Sequence, residues 1–118
     1  MAFKFEKLEV WQLALELANN IHLLTRNFPK EEMFSLTSQI KRAADSVSLN
    51  IAEGSTGQSD AEQFRFLGYA QRSALEVVGA LHLSLKKDYV SKEIFEIHHN
   101  EVTILVKRIQ SFKNSFKK

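Results

Sequence analysis

Apolar residues recur at three- and four-residue intervals through four long stretches of the chain, and each recurrence predicts a helix with one buried face. The first stretch, residues 5–27, carries two adjacent stripes: Leu8, Trp11, Leu15 and Ala18, and beside them Val10, Ala14, Leu17, Ile21 and Leu24. It should end at "RNFPKEE". Asn27 accepts a left-handed C-terminal conformation, and Pro29 lacks the amide proton that a continuing helix needs. Pro29 to Glu32 suits a short helical turn with its acids at the positive end. The second helix is expected over residues 35–53, on Leu36, Ile40, Ala43, Val47 and Ile51, with Gly54 as its stop. The third is expected over 59–87. Ser59 and Glu62 form a capping box there, Phe64, Leu67, Leu75, Val78, Leu81 and Leu85 line the helix, and Lys86 and Lys87 sit at its negative end. After a turn at Asp88-Tyr89-Val90, Ser91 caps a fourth helix over 91–115, with Ile94, Ile97, Leu105, Ile109 and Phe112 facing inward.

Short connections between long helices favour antiparallel neighbours, so the predicted object is a single-domain, all-α, up-down-up-down four-helix bundle. One small core does not use all the apolar surface on offer. The double stripe of the first helix, and Phe66 and Tyr69 on a different face of the third from Phe64, Leu67 and Leu75, predict a subunit interface and hence a homo-oligomer.

Composition supports this picture. The 118 residues are 44% hydrophobic and 25% charged, with only four glycines and one proline, which argues against a turn-rich sandwich or barrel. There is no cysteine, so no disulfide, thiolate site or zinc finger. The N-terminus meets charge at once, without an apolar stretch of signal-peptide length, and no uncharged run reaches membrane-spanning length; a cytoplasmic location is expected.

Candidate chemistry is sparse. Gly54-Ser55-Thr56-Gly57 has the look of a phosphate loop, but no lysine follows before the next helix and no strand precedes it, so the glycines read as a helix end and a corner. Glu96 and His99 form one E-x-x-H, whereas carboxylate-bridged metal bundles need two such pairs and two further glutamates. Glu76, the best-placed interior acid, has no histidine three residues on. His22 and His82 are isolated, and adjacent His98 and His99 point in different directions. No nucleophile, base and orienting acid are visible together, so no enzyme, cofactor, metal or small-molecule substrate is expected.

Basic residues remain. The net charge is only +2, yet Lys107, Arg108, Lys113, Lys117 and Lys118 close the chain without an intervening acid. With Lys41 and Arg42 on the second helix and Arg65 and Arg72 on the third, Lys107, Arg108 and Lys113 form a candidate surface for a phosphate backbone. No interleaving of aromatic and basic residues is evident along the chain.

Taken together, "FEKLEVWQLALEL", "FPKEEMFSLTSQIKRAADSVSLNIAEGS" and "FRFLGYAQRSALEV" closely resemble the 23S ribosomal RNA intervening-sequence proteins. The most specific parts are F-x-x-L-x-V-W-Q, F-P-x-E-E, L-T-S-Q-x-x-R-A and N-I-A-E-G, in that order. The resemblance implies an antiparallel four-helix bundle that assembles as a ring-like homopentamer, in a family without shared catalytic residues. A related branch serves diversity-generating retroelements, binding a reverse transcriptase and nucleic acid through a basic barrel surface. By position, Arg42 matches the basic residue of the L-T-S-Q motif, and Asn50, Glu53 and Gly54 match N-I-A-E-G. Asn50 and Glu53 share a helix face and are expected to bond each other or a neighbouring helix. Ser48-Leu49 stands where the family often has Pro-Ala, and neutral Ser55 to Gln58 where relatives are often basic. The expected function is that of a non-enzymatic, oligomeric binding or scaffold protein with RNA or a nucleic-acid enzyme as partner. The alternative is a protein interaction module with no nucleic-acid partner.

Overall fold

The computed structural model describes residues 2–57 and 59–116. Gln58 of the corner, and Lys117 and Lys118 of the basic tail, lie outside the described residues. Four helices account for most of the chain: α1 (Glu9–Thr25), α2 (Leu36–Gly54), α3 (Asp60–Lys86) and α4 (Lys92–Asn114). Each packs on its neighbours in sequence, α4 closes back on α1, and the diagonal pairs do not meet. Cross-helix contacts run in opposite chain order. Glu9 and Asn20 of α1 reach Arg108 and Glu101 of α4, and on α3, Phe64, Gln71 and His82 meet Lys113, Gln110 and Phe95. These pairs describe an antiparallel bundle. At a rise of about 1.5 Å per residue α3 spans roughly 40 Å, and it sets the long axis of a 43 × 25 × 20 Å molecule.

The core is an aliphatic column. Ala14, Leu17 and Ile21, then Ile40, Ala44, Val47 and Ile51, and then Val102 and Ile109 have no exposed surface. Each large aliphatic buried in this way contributes about 1.5–3 kcal/mol. On α1 the stripe from Val10 to Leu24 is buried, while of the other stripe Leu8, Trp11 and Ala18 pack partly buried against the core and Leu15 is exposed. On α3 the predicted face is rotated. The buried line is Leu67, Ala70, Ala74, Val77, Leu81 and Ser84, and Leu75 is 58% exposed. Alanine is a weak apolar signal in sequence, so this line is hard to read there, although α3 and α2 make the most extensive pairing of the bundle. On α4, Val102 joins the core, whereas Ile94 and Ile97 are exposed.

The helix ends differ from expectation in instructive ways. α1 starts after a separate 3-10 turn at Lys4–Lys7, because Leu8 is extended. The Phe5 ring packs edge-on against Trp11 and Gln12 donates to the Glu6 carbonyl, so the F-x-x-L-x-V-W-Q motif forms a hook ahead of α1. α1 ends at Thr25 and its capping residue Arg26 remains right-handed. Asn27 is not left-handed; the non-glycine residue with positive φ is Asp88 (φ 62°). There the Tyr89 amide donates to the Ser84 carbonyl and the Asp88 amide to that of Leu85, a Schellman closure of α3. Ser59 and Ser91 cap α3 and α4 by accepting from the Glu62 and Ile94 amides, each at 3.1 Å.

Gly54 closes α2 for a reason other than backbone freedom. A Cβ there would stand 2.7 Å from the Cβ of Phe66, so the glycine marks where α2 and α3 come closest. The left-handed residue of the corner is Gly57 (φ 89°). Ser55 is buried between them, donating to the Ile51 carbonyl at 3.0 Å and accepting from Gln63 at 2.8 Å. The corner after α2 is thus a packed joint.

Candidate nucleic-acid interface

Three of the seven predicted basic residues converge. Arg65, Arg72 and Lys113 line one groove of about 420 Å³ between α3 and α4, with Phe64, Gly68, Tyr69, Gln71 and Leu75 completing its walls. Their registers explain this. Residues 65, 68, 69 and 72 share a helical face one turn apart, and antiparallel packing brings the end of α4 beside the start of α3. The Lys113 ammonium lies 4.8 Å from the Phe64 ring centre and donates to Gln71 Oε1 at 3.1 Å. A cation over a ring gains about 0.5–1 kcal/mol at an exposed site. Arg65 lies 5.4 Å from the Phe66 ring centre and pairs with Glu62 at 3.4 Å. Phe66 and Tyr69 pack edge to face. Arg72 is exposed and makes no ion pair among the described residues.

Aromatic and basic residues therefore interleave in space, although no such pattern runs along the chain. Phe64, Tyr69 and Gln71 were missed as groove residues for this reason. Their partner Lys113 is more than forty positions away from them, so only antiparallel register could have found the group.

The other four basic candidates lie elsewhere. Lys41 borders a second groove at the α1–α2 corner, of about 540 Å³, together with Arg26, Lys30 and His22. Arg42 and Lys107 are exposed and line neither groove. Arg108 is paired with Glu9. Asn50 and Glu53 do not bond each other: Asn50 donates to the Ser46 carbonyl at 2.9 Å, inside its own helix, and Glu53 is exposed.

The histidines are less isolated than expected. His22 lies 2.9 Å from Asp45, and His82 packs edge to face with Phe95 and His99. Glu96 and Glu76 both face solvent, and among the described residues no three histidine, aspartate or glutamate side chains gather as metal ligands would. Nor is any helix among them long and apolar enough to cross a membrane.

Sequence reasoning also passed over Glu32, the last residue of F-P-x-E-E. It is 8% exposed, and its carboxylate accepts from Tyr89 Oη (2.7 Å), Ser35 Oγ (2.7 Å), the Leu36 amide (3.2 Å) and Lys87 Nζ (3.3 Å). The Tyr89 bond, then those of Ser35 and Leu36, outweigh burial and hold this carboxyl down at about 2. The same bond to Glu32 pushes the Tyr89 phenol up to about 12. Phe28, which begins the motif, is buried against the Tyr89 ring. The motif joins the α1–α2 corner to the α3–α4 turn and carries no reacting group.

No curated protein matches the chain. Among solved structures it is similar to a protein of unknown function from the S23 ribosomal protein family of Bacteroides thetaiotaomicron, with 28% identity and a TM-score of 0.81. The match covers 89% of this chain and 95% of that one. The family model for the 23S rRNA-intervening sequence protein matches residues 6–111, nearly the whole bundle and every motif residue except the opening Phe5, so the chain belongs to that family.

Proposed function

We propose that this chain is a non-enzymatic, self-assembling binding protein of the cytoplasm, and that the α3–α4 groove receives the backbone and bases of single-stranded RNA. The observation that carries this reading is the convergence of Arg65, Arg72 and Lys113 on one groove with Phe64 and Tyr69 in its walls. Cations track phosphates without regard to sequence, and the exposed Tyr69 ring gives an unpaired base a stacking surface. Assembly into a homo-oligomer, with the ring of five that the family resemblance implies, is supported by the apolar side chains left at the surface, Leu15, Leu75, Leu83, Ile97 and Ile104 among them.

Titration of a short single-stranded RNA at two salt concentrations tests the groove. Three neutralised phosphates predict a slope of log K against log salt of about −2. Arg72→Ala should flatten that slope by about 0.7 and weaken binding without affecting folding, since the side chain is exposed. Binding that is absent at low salt, or unchanged in Arg72→Ala and Lys113→Ala, rejects the groove as the site.

A further inference from the structure

Phe34 is 91% exposed, more than any other large apolar side chain among the described residues. Its backbone is not free to withdraw it. The Met33 amide donates to the Lys30 carbonyl and the Ser35 amide to that of Glu32, each at 3.0 Å. The Glu32 carboxylate then takes the Ser35 hydroxyl and the Leu36 amide. Met33 is thus tied to Lys30, and Ser35 and Leu36 to the buried Glu32, so the ring projects from a corner hydrogen-bonded on both sides of it. Met33 beside it is 49% exposed. Arg26, Lys30 and Lys41 surround the groove that Met33 borders, none with an ion pair among the described residues. Glu31 is the one exposed acid of the corner, because Glu32 is taken by Lys87 and Tyr89. The corner offers an aromatic anchor with a cationic flank.

A surface of opposite character lies on the α1–α4 seam. That pairing is the least extensive of the four between helices, and it leaves a depression of about 210 Å³. Leu13, Ile104 and Leu105 supply its apolar lining, and Glu16 and Glu101 its acidic one. An apolar cavity of about 150 Å³ already accepts benzene, so a phenyl ring fits in this space. Burying an aromatic anchor within a charge-matched rim is how protein interfaces concentrate their energy.

We propose that Phe34 of one copy seats in the α1–α4 depression of the next copy, with Arg26 and Lys30 opposite Glu16, the acid of its lining that Asn20 does not already engage. Anchor and depression are different surfaces of the same chain, so the contact is heterologous. Repeated from copy to copy, it closes as a ring or runs on as a filament, and it does not by itself make a two-fold dimer. This inference rests on the reading that the chain self-assembles and adds which surfaces meet.

Light scattering over a concentration series tests it with two variants. Phe34→Ala should raise the dissociation constant of assembly about thirtyfold or more, as loss of an aromatic anchor does, while its thermal unfolding as a monomer stays unchanged. Ile104→Arg, at a half-exposed position of the depression, should also give monomers. Mixed together, the two monomeric variants should form a one-to-one pair and nothing larger, because one keeps only the depression and the other only the anchor. Equal assembly of wild type and Phe34→Ala, or a mixture that stays monomeric, overturns the proposed contact while leaving self-assembly intact. A wild type that is monomeric at every concentration overturns both.

Discussion

Glu32 gathers four donors from the start of α2 and the α3–α4 turn onto one carboxylate. Its ionised form is favoured in the fold and its protonated form is not, which makes stability depend on pH. The carboxyl titrates near 2 in the folded chain against an ordinary value of 4.5. Its contribution is therefore complete above pH 4.5 and is lost as pH falls from there toward 2. Tyr89 has the opposite sign: its phenol is raised from 10.0 to about 12, so its contribution is complete below pH 10 and is lost as pH rises through that window. Glu32→Gln should lower the urea midpoint at neutral pH and remove most of its fall between pH 4.5 and 2, which denaturation curves at a series of pH values would show. If the variant retains the acid limb of the wild type, other carboxylates cause it. The sequence displayed this residue as part of F-P-x-E-E, but nothing local distinguishes Glu32 from Glu31. One faces the bundle and the other faces water, and the difference is made by Tyr89, far along the chain.

At the scale of elements, helix existence was plain in the sequence because long aliphatic side chains recur with helical period. The facing of α3 was not, because its buried line includes Ala70, Ala74 and Ala80, residues that carry little apolar weight. Gly54 ends α2 as expected, but it is more than a stop, being also a point of contact with Phe66 of α3. This distinction is testable by comparison with a second glycine. Gly54→Ala places a Cβ 2.7 Å from that of Phe66, an atom close to the backbone that cannot swing aside. The helices must separate, and a loss of about 1–3 kcal/mol is expected. Gly79, inside α3, meets nothing within 4 Å of an added Cβ, so Gly79→Ala should gain about 0.5–1 kcal/mol through helix propensity. Equilibrium denaturation measures both, and opposite signs are required. If both alanines stabilise, Gly54 is only a helix end. The four family motifs follow the same rule: Trp11 packs on Phe5, Phe28 and Glu32 both meet Tyr89, Leu36 and Ala43 are buried in the core, and Gly54 lies against Phe66. They specify the bundle, and the groove residues Arg72 and Lys113 belong to none of them.

For the whole molecule, charge decides how binding and assembly depend on each other. One copy carries a formal charge of only +2 and one groove with three cations, enough for weak, salt-sensitive attachment. Repeating that groove around an assembly makes the second contact of a long strand intramolecular, and avidity of this kind multiplies affinity by about 10² or more when the strand spans two sites. Strand length therefore becomes a probe of assembly. With a short RNA that fills one groove, wild type and Phe34→Ala should bind alike, since Phe34 lies at the α1–α2 corner and not in the α3–α4 groove. With an RNA several times longer, wild type should bind far more tightly and the variant should gain only the statistical factor for extra sites. Fluorescence anisotropy with the two lengths, at one protein concentration series and fixed salt, reads the difference directly. Equal length dependence in both proteins would mean that each copy binds alone. The exposed aromatic would then serve assembly without serving recognition, and the low charge of the single chain would set the limit of its affinity.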